Sequence, residues 1–191
     1  PTPSDSQYGP KVTIVQQPDG KIVANTGWYL VRFLPNGEMD ETFGFEGYAS
    51  LNFNGNGYAV ALQADGKIVA AGGRHDFRLR RFFPDGTLDE SFSNTENTHL
   101  VIIDFGTSSR EFARSLLVQP DGKIVVGGQT WSDFALARLN EDGSLDDGFG
   151  TDGKFILDSG TNTIDFTYAL GLQQDGKIVV GGNTRNFRLN P

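Results

Sequence analysis

Short apolar runs bounded by glycine, proline, asparagine or aspartate recur along the whole chain. The clearest run, at 123–126, follows the pair Asp121-Gly122 and ends in Gly127-Gly128. An Asp-Gly pair between two apolar runs favours a tight turn with positive φ that joins antiparallel strands. Because the runs are short and rich in β-branched and aromatic residues, they favour strands over helices. The pattern therefore predicts an array of β-hairpins.

The hairpin motif occurs four times. Its turn aspartates stand at 19, 65, 121 and 175, so the intervals are 46, 56 and 54 residues. Three of the hairpins are followed by a third strand (29–33, 77–82, 134–139), a second turn and a fourth strand (48–53, 100–105, 154–157). Four-stranded units of this period favour propeller blades, since each unit needs neighbours on both faces. A β-trefoil would need three copies.

We therefore predict one all-β domain, a β-propeller with four blades of four antiparallel strands. The units span about 11–54, 55–106, 107–160 and 161–191, with an N-terminal segment at 1–10. The last unit ends without the second turn and the fourth strand. We expect residues 2–8 to supply the missing outer strand and close the ring, since an open ring exposes strand edges and apolar faces. A fragment of a longer ring, or pairing with a second copy, is the alternative. A self-closed ring favours a monomer and leaves a dimer possible.

Three signatures recur in one order: residues 119–128, 133–140 and 142–150 carry them in the third unit. Together they resemble the delta-60 repeat family of bacterial proteins, over nearly all of 12–189. The resemblance implies a β-propeller, commonly in large exported or surface-associated proteins. It implies an extracellular or cell-surface location, and it brings no defined activity and no catalytic residues.

Charge and composition exclude several classes of function. The chain has 191 residues and a formal charge of −8, from 16 basic and 24 acidic residues, which disfavours nucleic acid as a partner. Cysteine is absent, which excludes disulfides, thiolate metal sites and a cysteine nucleophile. No apolar run approaches the length of a membrane span, so we expect no membrane insertion.

Charged residues that recur in every unit have a structural interpretation. They follow the hairpin turn, occupy one position of the third strand, or precede a recurrent phenylalanine. Residues that recur in every repeat are expected to stabilise the repeated fold. We therefore expect each aspartate to cap a short helical turn and to accept hydrogen bonds from backbone N–H groups or from the recurrent arginine. The phenylalanines are expected to pack between blades. The set comprises Lys21, Lys67, Lys123 and Lys177; Arg32, Arg81 and Arg138; Asp40, Asp89 and Asp146; and Phe43, Phe92 and Phe149.

We expect no cofactor and no metal. The acidic turn at 140–147 resembles a calcium loop, with Asp142 and Asp146 as weak ligand candidates, but the carboxylate spacing that calcium favours is broken.

Catalytic motifs are also missing from the sequence. The two histidines, His75 and His99, stand at different places in their units, and no nucleophile elbow or phosphate loop is present. We therefore predict no enzyme activity. A propeller hydrolase or lyase is the alternative, and it would require Arg74, His75 and Asp165 to converge.

Variation between the units points to recognition. The loops that join second to third strands, and those that join one unit to the next, differ in every unit and should share one face of the ring. Aromatic and polar residues there suit a glycan or a protein surface. Trp28 is expected to begin a strand and pack between blades instead. The candidate ligand-binding residues are Arg74, His75, Asp76, Trp131, Ser132, Arg185 and Asn186. A passive spacer in a larger surface protein is the alternative.

Overall fold

The computed structural model describes residues 12–93, 95, 98–107, 110–130, 132–158 and 163–186. For residues 163, 164, 185 and 186 it describes the backbone alone. These residues form strands and turns without a helix. The strands are β1 (Thr13–Gln16), β2 (Ile22–Asn25), β3 (Tyr29–Phe33), β4 (Tyr48–Ser50), β5 (Gly57–Leu62), β6 (Ile68–Gly72), β7 (Phe77–Phe82), β8 (Val101–Ile103), β9 (Phe112–Val118), β10 (Ile124–Gln129), β11 (Phe134–Leu139), β12 (Lys154–Leu157), β13 (Thr163–Leu172) and β14 (Ile178–Asn186).

The strands form four antiparallel sheets in chain order. Sheets 1, 2 and 3 each have four strands, β1–β4, β5–β8 and β9–β12, and the described part of sheet 4 is the pair β13–β14. Within each sheet, sequential strands are hydrogen-bonded neighbours. The prediction of an all-β array of antiparallel hairpins is therefore confirmed.

Each hairpin turn is closed in the same way. In sheet 1, the Gly20 N–H donates to the Gln17 carbonyl at 2.9 Å and the Gln17 N–H to the Lys21 carbonyl at 2.8 Å. Gly20 has a φ of 86°, a left-handed conformation that favours glycine. Asp19 accepts from the Lys21 N–H at 3.2 Å. The Asp-Gly pair thus fixes both the reversal and the register of β1 and β2.

Two apolar clusters lie between consecutive sheets. The cluster between sheets 1 and 2 joins Phe43 and Phe53 to Ile68 and Phe82. The cluster between sheets 2 and 3 is built in the same way around Phe77, Phe92, Ile124 and Leu139, among others. Each fully buried phenylalanine or leucine contributes roughly 1.5–3 kcal/mol of transfer free energy. The first strands pack successively, β1 on β5, β5 on β9 and β9 on β13, so the sheets are stacked as blades.

The structure departs from the sequence predictions at several places. The fourth strands of sheets 1 and 2 are shorter than the apolar runs 48–53 and 100–105 suggested. Arg185 and Asn186 were expected in a loop between second and third strands, but their backbones extend β14, where Asn186 pairs with Thr163. They extend it because β13 begins early enough to supply the backbone partners. The expected closing segment at 2–8 lies outside the described residues.

The described residues contain no helix that is long and apolar enough to cross a membrane.

Candidate functional site

The two ends of the sheets form two distinct faces. We call the end with the Asp-Gly turns the turn face, and the opposite end, with the loops between second and third strands and between sheets, the loop face. On the loop face each sheet is tied to the next by one backbone hydrogen bond. The N–H donors and carbonyl acceptors are Gly57 to Gly27 at 2.6 Å, Glu111 to His75 at 3.2 Å, and Asp165 to Ser132 at 2.8 Å. Both kinds of loop therefore meet on this face.

The turn face carries a side-chain network that spans neighbouring sheets. Arg32 donates from Nε to Asp40 Oδ2 at 2.9 Å and from Nη1 to the Pro84 carbonyl of sheet 2 at 2.7 Å. Gln17 donates to the same carbonyl at 2.9 Å. The Arg32 guanidinium lies 4.8 Å from the centre of the Phe43 ring. We call this arrangement a clamp, because side chains of one sheet hold a turn carbonyl of the next.

A second clamp repeats the first between sheets 2 and 3. Arg81 donates to Asp89 at 2.8 Å and to the Glu141 carbonyl at 2.6 Å, and it lies 4.5 Å from the Phe92 ring centre. Between sheets 3 and 4, the described contacts include no turn carbonyl equivalent to those of Pro84 and Glu141. The Oε1 atom of Gln119 is buried there without a hydrogen-bond partner in the described part of the chain. Of the recurrent charged residues, Arg32 and Arg81 thus bind the next sheet, whereas the described ion pairs of the recurrent lysines and aspartates lie within one sheet.

The recurrent aspartates have lowered pKa values. A hydrogen bond from the Thr42 hydroxyl, helped by the Thr42 N–H and Arg32, outweighs burial and lowers the pKa of Asp40 to about 2. The pKa of Asp146 is likewise lowered to about 2, first by the hydrogen bond from Lys123 and then by Arg138. The turn after Asp40 does not continue into a helix: one bond closes it, from the Phe43 N–H to the Asp40 carbonyl at 3.1 Å. As expected of a capping residue, the Asp40 carboxylate accepts from the Thr42 N–H at 3.1 Å.

The two weak calcium candidates are engaged by protein groups. Asp146 accepts from Lys123 Nζ at 2.7 Å and from Arg138 Nε at 2.6 Å. Asp142 accepts from the N–H and hydroxyl of Ser144 at 2.9 and 2.7 Å. Among the described residues, no group of three or more histidine, aspartate or glutamate side chains is placed to hold a metal ion.

The loop face contains a cavity of about 220 Å³ between the loops of sheets 1 and 2. An indole, a phenol and a phenyl ring line it together with amide and guanidinium groups. Trp28, which is 59 % exposed, does not pack between sheets as expected, because β3 begins only at Tyr29 and the indole lies in the preceding loop. The lining residues are Trp28, Asn54, Gly55, Asn56, Tyr58, Arg74 and Phe112.

The walls of this cavity are fixed by their own contacts. The Trp28 carbonyl accepts from the Leu51 N–H at 3.0 Å, and the Asn56 carbonyl accepts from the Gly73 N–H at 3.1 Å. Behind the wall, the Arg114 guanidinium lies 5.1 Å from the Tyr58 ring centre and 5.3 Å from that of Phe112. Two of the rings that line the cavity thus contact the same arginine.

Of the predicted binding residues whose side chains the structure describes, Arg74 lines the cavity and His75, Asp76 and Ser132 do not. Arg74 lines the cavity with Trp28, whereas His75 contributes its carbonyl to the next junction and Asp76 forms an ion pair with Arg78 at 3.6 Å. Ser132 belongs to the junction of sheets 3 and 4, where its hydroxyl donates to Asp133 at 2.9 Å.

The remaining candidates lie further along the chain. The backbones of Arg185 and Asn186 belong to β14, and Trp131 lies outside the described residues. The seven cavity residues include neither His75 nor Asp165, the groups on which the enzyme alternative depended.

Sequence reasoning missed Asn54, Asn56, Tyr58 and Phe112 as cavity residues. A signal was present, because Phe112 and Phe166 are aromatic residues at the same position of the first strand in two units, and Tyr58 stands two residues further along its own first strand. That position directly follows the variable loops between sheets.

Two fully buried acids, Glu111 and Asp165, stand at corresponding junctions of the loop face. Burial raises the pKa of Glu111, and Asp104 and Asp76 add to the increase, although the Thr107 hydroxyl at 2.7 Å and the Phe105 N–H at 3.1 Å oppose it. Its carboxylate ties residues 105–107 to the start of β9.

Comparison with known proteins supports the fold and leaves the activity open. No curated protein matches the chain. A solved structure, a protein of unknown function from Bacteroides caccae determined at 1.35 Å, aligns over 90 % of this chain with 11 % identity and a TM-score of 0.52. The chain spans 50 % of that protein's length. At this identity the likeness shows the fold alone.

A family model described as "Domain of unknown function (DUF5122) beta-propeller" matches residues 17–43, 63–92, 119–149 and 173–191. These segments begin at the four hairpin glutamines and cover more than half of the sequence. The first three end at the recurrent phenylalanines, so the matched segments contain the clamp residues. The repeat pattern, the blade-like sheets and this match agree: the chain belongs to the DUF5122 β-propeller family.

Proposed function

We propose that this chain is a non-catalytic recognition module that binds a glycan in the loop-face cavity. The observation that carries the proposal is the exposed indole of Trp28 beside the amides of Asn54 and Asn56. A flat aromatic surface stacks on the apolar face of a sugar ring, and amides both donate to and accept from its hydroxyl groups.

The size of the cavity suits one ring of a longer ligand. Its volume of about 220 Å³ lies below the roughly 300–1,000 Å³ of pockets that enclose drug-sized ligands. A terminal or branching sugar would therefore enter, while the rest of the glycan would lie along the loop face. Arg74 adds a cation at the rim, which would favour a sugar that carries a carboxylate.

The fixed loops support recognition. Because the Trp28 and Asn56 backbones are hydrogen-bonded to neighbouring segments, little conformational entropy is lost when a ligand binds. A rigid, repeated turn face and a varied loop face together suit a scaffold that presents binding groups. We place this module in an exported or surface-bound bacterial protein, on the basis of its acidic, cysteine-free composition and the delta-60 resemblance.

A glycan array followed by calorimetric titration with the bound oligosaccharides would test the proposal. Trp28→Ala should weaken binding about tenfold, which corresponds to ~1.4 kcal/mol and lies near the upper value for an aromatic contact. Phe45→Ala is the matched control, because Phe45 is also highly exposed but does not line the cavity. Binding that survives both Trp28→Ala and Arg74→Ala would place the site elsewhere.

Other results would select an alternative function. If no glycan binds at millimolar concentration, the recognition proposal fails and the spacer interpretation gains support. If a bound oligosaccharide is cleaved, and cleavage is lost in His75→Ala, the hydrolase or lyase alternative replaces it.

A further inference from the structure

The first strands of sheets 2, 3 and 4 carry a β-bulge at the same place. In sheet 2 the register shifts between Gly57 and Ala59, so Tyr58 has no paired residue on β6. Arg114 and Tyr168 occupy the same unpaired position in sheets 3 and 4. A bulge inserts one extra residue into a strand, interrupts the alternation of faces and gives the side chain of that residue a new direction.

A glycine of the second strand makes room for each bulge. A Cβ atom on Gly72 would collide with the Asn56 carbonyl oxygen, and one on Gly128 would collide with that of Phe112. The recurrent Gly-Gly pairs therefore allow the close backbone approach that the bulge requires. The backbone feature is repeated from sheet to sheet, whereas the bulge residue itself differs.

Tyr58, the bulge residue of sheet 2, lines the loop-face cavity and is only 8 % exposed. Among the described residues no hydrogen bond to its phenol is present, and its oxygen is not one of the fully buried polar atoms that lack a partner. The hydroxyl group is therefore both unpaired and accessible. Because a tyrosine that is buried to this extent usually has a partner for its O–H group, the unpaired phenol points to a ligand in the cavity.

The ring of Tyr58 packs against the bulge residue of the next sheet. The Arg114 guanidinium lies 5.1 Å from the centre of the Tyr58 ring, and Arg114 Nε donates to Gln129 Oε1 at 2.9 Å. Gln129 is itself buried. A cation anchored over the ring favours one orientation of that ring, which lowers the entropy that is lost when a ligand binds.

We propose that the Tyr58 hydroxyl group determines the specificity of the cavity, by forming a hydrogen bond with one hydroxyl group of a sugar ring that stacks on Trp28. This inference rests on the proposed function and adds the chemistry that the ligand must carry. A site built to bind a hydroxyl group rejects an analogue that lacks it, because the polar group of the protein is then left unpaired. The cavity should therefore select a fully hydroxylated sugar over the corresponding deoxy sugar.

Titration calorimetry with a sugar found on the glycan array tests the inference. Tyr58→Phe removes the hydroxyl group alone and should weaken binding about two- to tenfold, which is the range for one neutral hydrogen bond. Tyr168→Phe is the matched control, because Tyr168 occupies the equivalent bulge but does not line the cavity. It should bind the sugar as the wild type does. Both substitutions keep the aromatic ring, and circular dichroism checks that both variants fold.

Monodeoxy analogues of the same sugar distinguish a direct contact from an indirect effect. At one position of the sugar ring, loss of the hydroxyl group should weaken binding to the wild type and leave binding to Tyr58→Phe unchanged. Equal affinity of the wild type and Tyr58→Phe for the parent sugar would overturn the inference and leave the proposed function standing. A loss in Tyr58→Phe that is the same for the parent sugar and for every analogue would also overturn it. If no sugar binds the wild type, the proposed function fails and the inference fails with it.

Discussion

Neighbouring sheets are joined by different kinds of contact on the turn face and on the loop face. On the loop face the common element of each junction is a single backbone bond, such as that from the Gly57 N–H to the Gly27 carbonyl, while the surrounding side chains differ. On the turn face the side chains themselves repeat, as Arg32 and Arg81 show. The comparison indicates that, beside the apolar clusters, the polar side-chain contacts that repeat between sheets lie on the turn face, whereas the side chains of the loop face differ from junction to junction.

Removing a clamp arginine should have the largest effect. Arg81→Met leaves Asp89 buried beside Lys67 alone and leaves the Glu141 carbonyl without its charged donor, so we expect a loss of about 3–5 kcal/mol in the free energy of unfolding. Arg138→Met is the matched control, because Arg138 is more exposed and no described carbonyl of sheet 4 binds it. Urea unfolding measures both, and equal losses would contradict a role across the sheet junction.

A turn glycine should have the next largest effect. Gly86→Ala and Gly37→Ala carry the same cost for a left-handed residue, roughly 1–2 kcal/mol, because their φ values are equal. Only Gly86→Ala also places a methyl group 2.7 Å from both the Gly44 backbone nitrogen and the Phe43 ring, which should add roughly 1–3 kcal/mol. The difference between the two unfolding free energies isolates the packing between sheets. A difference near zero would show that the Gly44 backbone and the Phe43 ring both move aside freely.

Acid should weaken the turn face before the loop face. The pKa of Asp40 is about 2 in the folded chain, against the ordinary aspartate value of 3.8, so its contribution is complete above pH 3.8 and is lost as the pH falls through 2. In Asp40→Asn, urea midpoints should therefore change less between pH 4 and pH 2 than in the wild type.

Glu111 provides the opposite case for this pH series. Its raised pKa means that its protonated form is favoured by folding, so its contribution is present below 4.5 and is lost as the pH rises through the folded pKa. Glu111→Gln should thus change how the urea midpoint depends on pH above 4.5, and it should leave the fall between pH 4 and pH 2 unchanged. If the urea midpoints of Asp40→Asn fell between pH 4 and pH 2 as steeply as those of the wild type, the lowered pKa could not be assigned to Asp40.

Loop-face substitutions should have the smallest effect on stability. Trp28→Ala and Arg74→Ala remove exposed side chains, so each should shift the unfolding free energy by no more than about 0.5 kcal/mol. The same urea experiments provide the measurement. A loss as large as that of Arg81→Met would mean that the loop face also holds the sheets together.

The sequence predicted the hairpins well because their determinants are local. Asp19 and Gly20 set the turn, and the apolar residues beside them set the strands. The clamps were only half predictable: the pairing of Arg32 with Asp40 spans 8 residues, but Gln17 binds a backbone carbonyl 67 positions away, which no side chain marks. The loops were least predictable, because the conformation at Gly27, with a φ of 100°, decides where Trp28 lies.

In each clamp the arginine belongs to the earlier sheet and the carbonyl to the later one, and this order matters during synthesis on the ribosome. Arg32 and Asp40 emerge first and can pair at once, but the Pro84 carbonyl follows Arg32 by 52 residues. At about 5–20 residues per second, the nascent chain waits roughly 3–10 s for it. During this interval the local ion pair neutralises the arginine, while the apolar face of sheet 1 stays uncovered. Each newly translated sheet then covers its predecessor, so the most recent sheet is always the one that is exposed to chaperones.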